Sequence, residues 1–238
     1  QTGANAVISG LGNDCGGAFS ATNFIEFGAD SVIGQQGCTN GVAAALSQAI
    51  VGQPFAACPT DAFLIQDTSA TLFGVQLATG QYQQLSNTMG TTNKLNAMGF
   101  NFHDQYLYAW SNEFAQPVRI NNAYKVTPLA TSGLPDVSFY VGDIAIDSNV
   151  YYVYRPGADY GLYAISLDSA APNYLLADRI IDGRSLNISI FDMAFHPFNG
   201  FAYTVDNKGN LYRIDVTNGS ATLLNNVGES GTFGAIYF

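Results

Sequence analysis

The chain has 238 residues and a formal net charge of −10, and only 11% of its side chains are charged. Its 8 basic residues stand singly, which excludes counterion-driven binding to a nucleic-acid backbone. There is no apolar run of about 18 residues to cross a membrane as a helix, while 47% hydrophobic content supports a folded core.

The first residue, Gln1, cyclises readily once processing exposes it, so the chain reads as a mature secreted protein whose leader has been removed. The cysteines are Cys15, Cys38 and Cys58. Cys15 with Cys38 is the natural local disulfide in an oxidising compartment, leaving Cys58 over; a buried free thiol is the alternative. Residues 39–52 carry a helix signature: a Thr39 or Asn40 cap, Val42, Leu46 and Ile50 at helical spacing, and Gly52 as the stop. Residues 1–57 are therefore expected to form a disulfide-bearing extension, packed as a lid or plug against residues 58–238.

From Cys58 onward a unit recurs four times, and a fifth copy begins near Phe233. Its inner strands are Asn96-Ala97-Met98-Gly99-Phe100, Asp143-Ile144-Ala145-Ile146, Asp192-Met193-Ala194-Phe195 and Phe233-Gly234-Ala235-Ile236. Their starts are 47, 49 and 41 residues apart (143 − 96, 192 − 143, 233 − 192). Small residues such as Ala97, Ala145 and Ala194 suit strands that converge on an axis. Second strands are aromatic and β-branched: Phe63-Leu64-Ile65, Tyr106 to Trp110, Val150 to Tyr154, and Phe201-Ala202-Tyr203. Third strands follow at Leu72 to Val75, Val118-Arg119-Ile120, Leu162 to Ile165 and Leu211 to Ile214. Thr79-Gly80 and Asn218-Gly219 close hairpins that need a positive φ. Repetition at this period predicts an all-β propeller over residues 58–238. The first unit lacks an inner strand, and the last consists of one alone. Two rings are consistent with this: five blades with part of the ring lying outside the chain, which we favour, or a closed ring of four.

The stretches Ala62-Phe63-Leu64-Ile65-Gln66, Leu95-Asn96-Ala97-Met98-Gly99-Phe100, Val141-Gly142-Asp143-Ile144, Gly209-Asn210-Leu211-Tyr212-Arg213-Ile214-Asp215 and Gly231-Thr232-Phe233-Gly234-Ala235 resemble a family of extracellular bacterial and fungal β-propeller domains of unknown function. In that family the last of these strands precedes another blade and a closing segment that carries a cysteine. The resemblance thus implies a C-terminal fragment of the same precursor as a partner for Cys58.

Familiar catalytic motifs are absent from the sequence: it has no His/Cys metal spacing, no Gly-x-Ser-x-Gly elbow and no phosphate loop. One constellation stands out. Asn96, Asp143 and Asp192 head successive inner strands and should meet at one mouth of a central channel. Carboxylates placed there can coordinate a hard cation such as calcium, bind sugar hydroxyls, or act as an acid/base pair. They can also latch the backbone N–H groups of the neighbouring blade, which repetition favours. Trp110, Tyr154 and Tyr160 are candidate stacking surfaces for a glycan. Asn187-Ile188-Ser189 and Asn218-Gly219-Ser220 are N-glycosylation sequons.

The reading is a secreted propeller that binds carbohydrate or cell-wall material through one face. A glycoside hydrolase or polysaccharide lyase using Asp143 and Asp192 is the alternative, and an adhesive surface protein the second; whether the chain is an enzyme stays open.

Overall fold

A computed structural model describes residues 27–28, 31–32, 52–57 and 62–238. The chain divides into two compact units, Gln1–Gln53 and Pro54–Phe238. In the first, β1 (Phe27–Gly28) pairs antiparallel with β2 (Ser31–Val32). Cys15, Cys38, Cys58 and all of the predicted helix except Gly52 lie outside the described residues. Among the described residues there is no helix.

The second unit consists of four antiparallel sheets in chain order. The first has three strands, β3 (Ala62–Gln66), β4 (Thr71–Gln76) and β5 (Gln81–Ser86). The second contains β6 (Leu95–Asn101), β7 (Tyr106–Ser111), β8 (Gln116–Ile120) and β9 (Val126–Pro128). The third contains β10 (Val141–Ile144), β11 (Val150–Arg155), β12 (Gly161–Ser166) and β13 (Ala177–Asp182). The fourth contains β14 (Ala194–Phe195), β15 (Ala202–Val205), β16 (Asn210–Asp215) and β17 (Ser220–Asn226). Each sheet is a meander, so sequential strands are neighbours and short hairpins suffice. Gly80 and Gly219 take φ of +70° and +63° in their turns, a region glycine enters without a Cβ clash.

The cores lie between the sheets. Because successive strand residues point to opposite faces, one strand feeds two cores. On β7, Leu107 and Ala109 pack with Leu72, Met89, Val118 and Ile120 between the first and second sheets. Tyr108 and Trp110 point the other way, joining Phe139, Tyr151, Val153 and Tyr163 between the second and third. On β11 the pattern repeats: Tyr152 and Tyr154 pack with Leu162, Met193, Phe195, Ala202 and Ile214 between the third and fourth. This is the stacking of propeller blades, and it accounts for the two-sided apolar character of the second strands. Arginine stacking recurs as well. Arg119 lies 4.3 Å over the Tyr106 ring and Arg213 4.5 Å over that of Phe201, at matching positions of blades two and four.

The described residues build four blades, the first with three strands, in line with the four units read from the sequence. The structure corrects one strand expectation. The segment 233–238 has no strand pairing among the described residues. It is nevertheless seated in register, because the Ile236 N–H donates to Asp192 Oδ2 at 2.8 Å.

Candidate functional site

The inner strands β6 and β10 lie side by side, and two glycines permit it. A Cβ on Gly142 would come within 2.6 Å of the Tyr152 carbonyl and 2.9 Å of Ala97 Cβ. One on Gly99 would meet the Ile144 nitrogen at 2.8 Å and Asp143 Oδ1 at 2.9 Å. A bulge in β6 places Ala97 and Met98 between the pairs Asn96–Trp110 and Gly99–Tyr108. Ala97 takes φ of +53° there, and its carbonyl accepts a hydrogen bond from the buried Tyr151 hydroxyl. Such a bulge re-aims the neighbouring side chain, here Asn96.

Asp143 and Asp192 do the same work one blade apart. Asp143 Oδ2 accepts the Phe195 N–H at 2.9 Å, as Asp192 Oδ2 accepts that of Ile236 at 2.8 Å. Each carboxylate therefore latches its own repeat to the following one. Burial pushes the Asp143 carboxyl up to about 7, and the nearby Asp192 adds to the rise; hydrogen bonds from Phe195 and Ile144 oppose it without prevailing. Asp143 keeps some accessible surface, but its carboxyl faces inward. Burial likewise raises Asp192 to about 6, against hydrogen bonds from Ile236 and Met193.

A cavity of about 390 Å³ opens beside Asp192 in the second unit. Its wall is formed by β3, the start of β6 including Asn96, the residues Tyr140, Phe191 and Asp192, and the segment 234–237. Asn96 and Asp192 thus reach one site, while Asp143 does not line it and sits in the latch beside it. No group of three or more His, Cys, Asp or Glu gathers among the described residues.

Trp110 and Tyr154 are core residues, each 1% exposed, which withdraws both as stacking surfaces. Trp110 packs edge-on against Phe139 with ring centroids 4.9 Å apart. The Tyr154 hydroxyl donates to the Leu186 and Ile188 carbonyls, and burial lifts its pKa to about 12. Both point into an inter-blade core because they alternate with their neighbours on two-sided strands. Tyr160, by contrast, is half-buried at the start of β12, with the Arg155 guanidinium 5.6 Å from its ring centroid.

Tyr140 and Phe191, 50% and 39% exposed, are the aromatic wall that the sequence reading missed. Their signal was position: each lies just before an inner strand, so each reaches the mouth. Asn187 and Asn218 are both exposed, and Asn218 Nδ2 donates to Asp215 Oδ2 at 2.7 Å.

Among solved structures, the chain is similar to one in the crystal structure of a nidogen/laminin complex, at 12% identity and a TM-score of 0.50. That match covers 71% of this chain and 62% of the other, so the chain spans less than two thirds of its neighbour's length. A structural genomics protein of unknown function from Bacteroides thetaiotaomicron matches at 14% identity and a TM-score of 0.46, covering 71% and 48%. TolB from Acinetobacter baumannii matches at 11% identity and 0.44, covering 71% and 42%. The first likeness supports the propeller fold read from the sheets. No curated protein matches the chain. A family model described as "Repeat of unknown function (DUF6923)" matches residues 63–238, most of the chain, and the chain belongs to that family of repeats.

Proposed function

We propose that the chain is a secreted binding propeller that takes a sugar ring of an extracellular glycan into the cavity at its mouth. One observation carries this reading. Two hydrogen-bonding side chains, Asn96 and Asp192, share a concave site with the exposed aromatic residues Tyr140 and Phe191. Sugars present hydroxyls around an apolar ring face, and a site joining a few polar groups to aromatic walls matches both. The first solved neighbour comes from a complex of nidogen with laminin, which is in keeping with a propeller used for binding. The exposed sequons at Asn187 and Asn218 support passage through a secretory pathway.

The hydrolase reading has one observation in its favour: two carboxyls that burial raises to about 7 and about 6, with the charge of Asp192 adding to the rise at Asp143. Against it, each already spends an oxygen on a backbone N–H of the next repeat. The test is a screen of the intact protein against plant and fungal polysaccharides, scoring both binding and depolymerisation. Binding that N96A and Y140A abolish, with no chain shortening, supports the proposal. Depolymerisation lost in D192N would replace it with the hydrolase, and failure to bind any polysaccharide would end it.

A further inference from the structure

We infer that the mouth includes a carboxylate subsite built on Arg155, so that the glycan taken there is an acidic one carrying uronate residues; this rests on the glycan reading above. Arg155 ends β11, Tyr140 stands just before β10, and Tyr160 just before β12. The pairings Val141–Tyr154 and Arg155–Gly161 bring all three to one end of blade three. The guanidinium carbon is 5.4 Å from the Tyr140 ring centroid and 5.6 Å from that of Tyr160. Nη1 donates to the Ser138 carbonyl at 2.6 Å, which fixes the plane of the group. A guanidinium held against aromatic rings and anchored at one nitrogen keeps its other N–H groups as a planar fork. That fork matches a carboxylate bidentately, a geometry lysine does not offer.

The surrounding charges sharpen the assignment. Arg179 at the same end is already spoken for, 3.4 Å from Asp182 and bonded to the Asp159 and Tyr160 carbonyls. Arg155 has no carboxylate partner among the described residues. Asp136 and Asp159 are exposed in the neighbouring loops, and the chain carries −10 overall. Long-range attraction therefore does not draw an anion here, and selectivity must come from contact. Tyr140 is the link: it lines the cavity that holds Asn96 and Asp192 and also faces the guanidinium. A ring seated in the cavity would place the next residue of an extended chain near Arg155.

The test uses the full chain and titrates polygalacturonate, alginate and hyaluronate, each against its methyl-esterified form, with laminarin as a neutral probe. At least one acidic polymer should bind about tenfold or more tightly than its ester. R155Q should erase that difference while leaving ester or laminarin binding within about twofold, and R155K should restore only part of it. A thermal melt of each variant separates loss of binding from loss of fold. Equal affinity for acid and ester, or a preference that survives R155Q, overturns the inference and leaves the glycan reading standing. No binding to any of the polymers overturns both.

Discussion

Blades three and four share one repeat but not one environment. In blade three, β11 is buried on both faces, with Tyr151 and Val153 turned toward blade two and Tyr152 and Tyr154 toward blade four. In blade four, Ala202 enters the core shared with blade three, whereas Tyr203 on the opposite face is only half-buried. The outer strands diverge further: β13 keeps Ala177 and Ile181 buried, while β17 leaves Leu223 and Leu224 56% and 45% exposed. The lesson is that stability in a blade comes from its neighbours as much as from its own pairing. Equivalent side chains should therefore differ in cost when removed.

The largest effect is expected from truncating equivalent tyrosines. Tyr152 is 8% exposed and packs 4.9 Å from the Phe195 ring, so Tyr152→Ala should lose about 3–5 kcal/mol. Tyr203→Ala, at the matching position of blade four, should lose about 1 kcal/mol. Denaturant titration of both variants decides; equal losses would break the comparison.

Gly142→Ala comes next. Its new methyl would press on the Tyr152 carbonyl and Ala97 Cβ, at about 1–3 kcal/mol. The same change at Gly234, whose Cβ would have nothing within 4 Å, should leave the melt almost unmoved. Tyr151→Phe removes a hydroxyl that satisfies the Ala97 carbonyl at the β6 bulge, for about 1–2 kcal/mol.

The pH response sharpens the comparison between the two latches. Burial raises Asp143 from 3.8 to about 7, so the folded chain holds that proton more tightly than the unfolded chain does. Its contribution to stability is therefore full below about pH 4 and is lost as pH rises through about 7. D143N removes the titration, so wild type should lose melting temperature relative to the variant across that window. D192N should show a smaller swing that ends nearer pH 6. Parallel melts at several pH values give both curves, and a swing of opposite sign would contradict the burial argument. The smallest effect belongs to Leu223→Ser on β17, within about 0.5 kcal/mol, because that side chain is already in solvent.

Much of the fold was legible because blades repeat. Residue spacing alone located β7, β11 and β15 and the hairpin glycines. The latch role of Asp143 and Asp192 was also foreseen, since a contact that ties one repeat to the next is expected to recur in successive repeats. What escaped was set by three-dimensional neighbours. Trp110 looks like a stacking platform in sequence, but alternation sends it into the core between blades two and three. Asn96 and Asp143 look equivalent, yet the β6 bulge pairs Asn96 with Trp110 while Asp143 faces Tyr152. That difference leaves one at the cavity and the other in the latch. The Tyr140–Arg155–Tyr160 cluster joins residues from three strand ends, which no local pattern marks.

The most direct measurement is amide hydrogen exchange on the intact protein, with and without a saturating polysaccharide that it binds. Slowed exchange at Asn96–Met98, Tyr140–Val141 and Phe191–Asp192, with β17 unchanged, is the result the mouth assignment predicts. Protection confined to β17 or to the first unit, with those three stretches unaffected, would place the ligand elsewhere and contradict it.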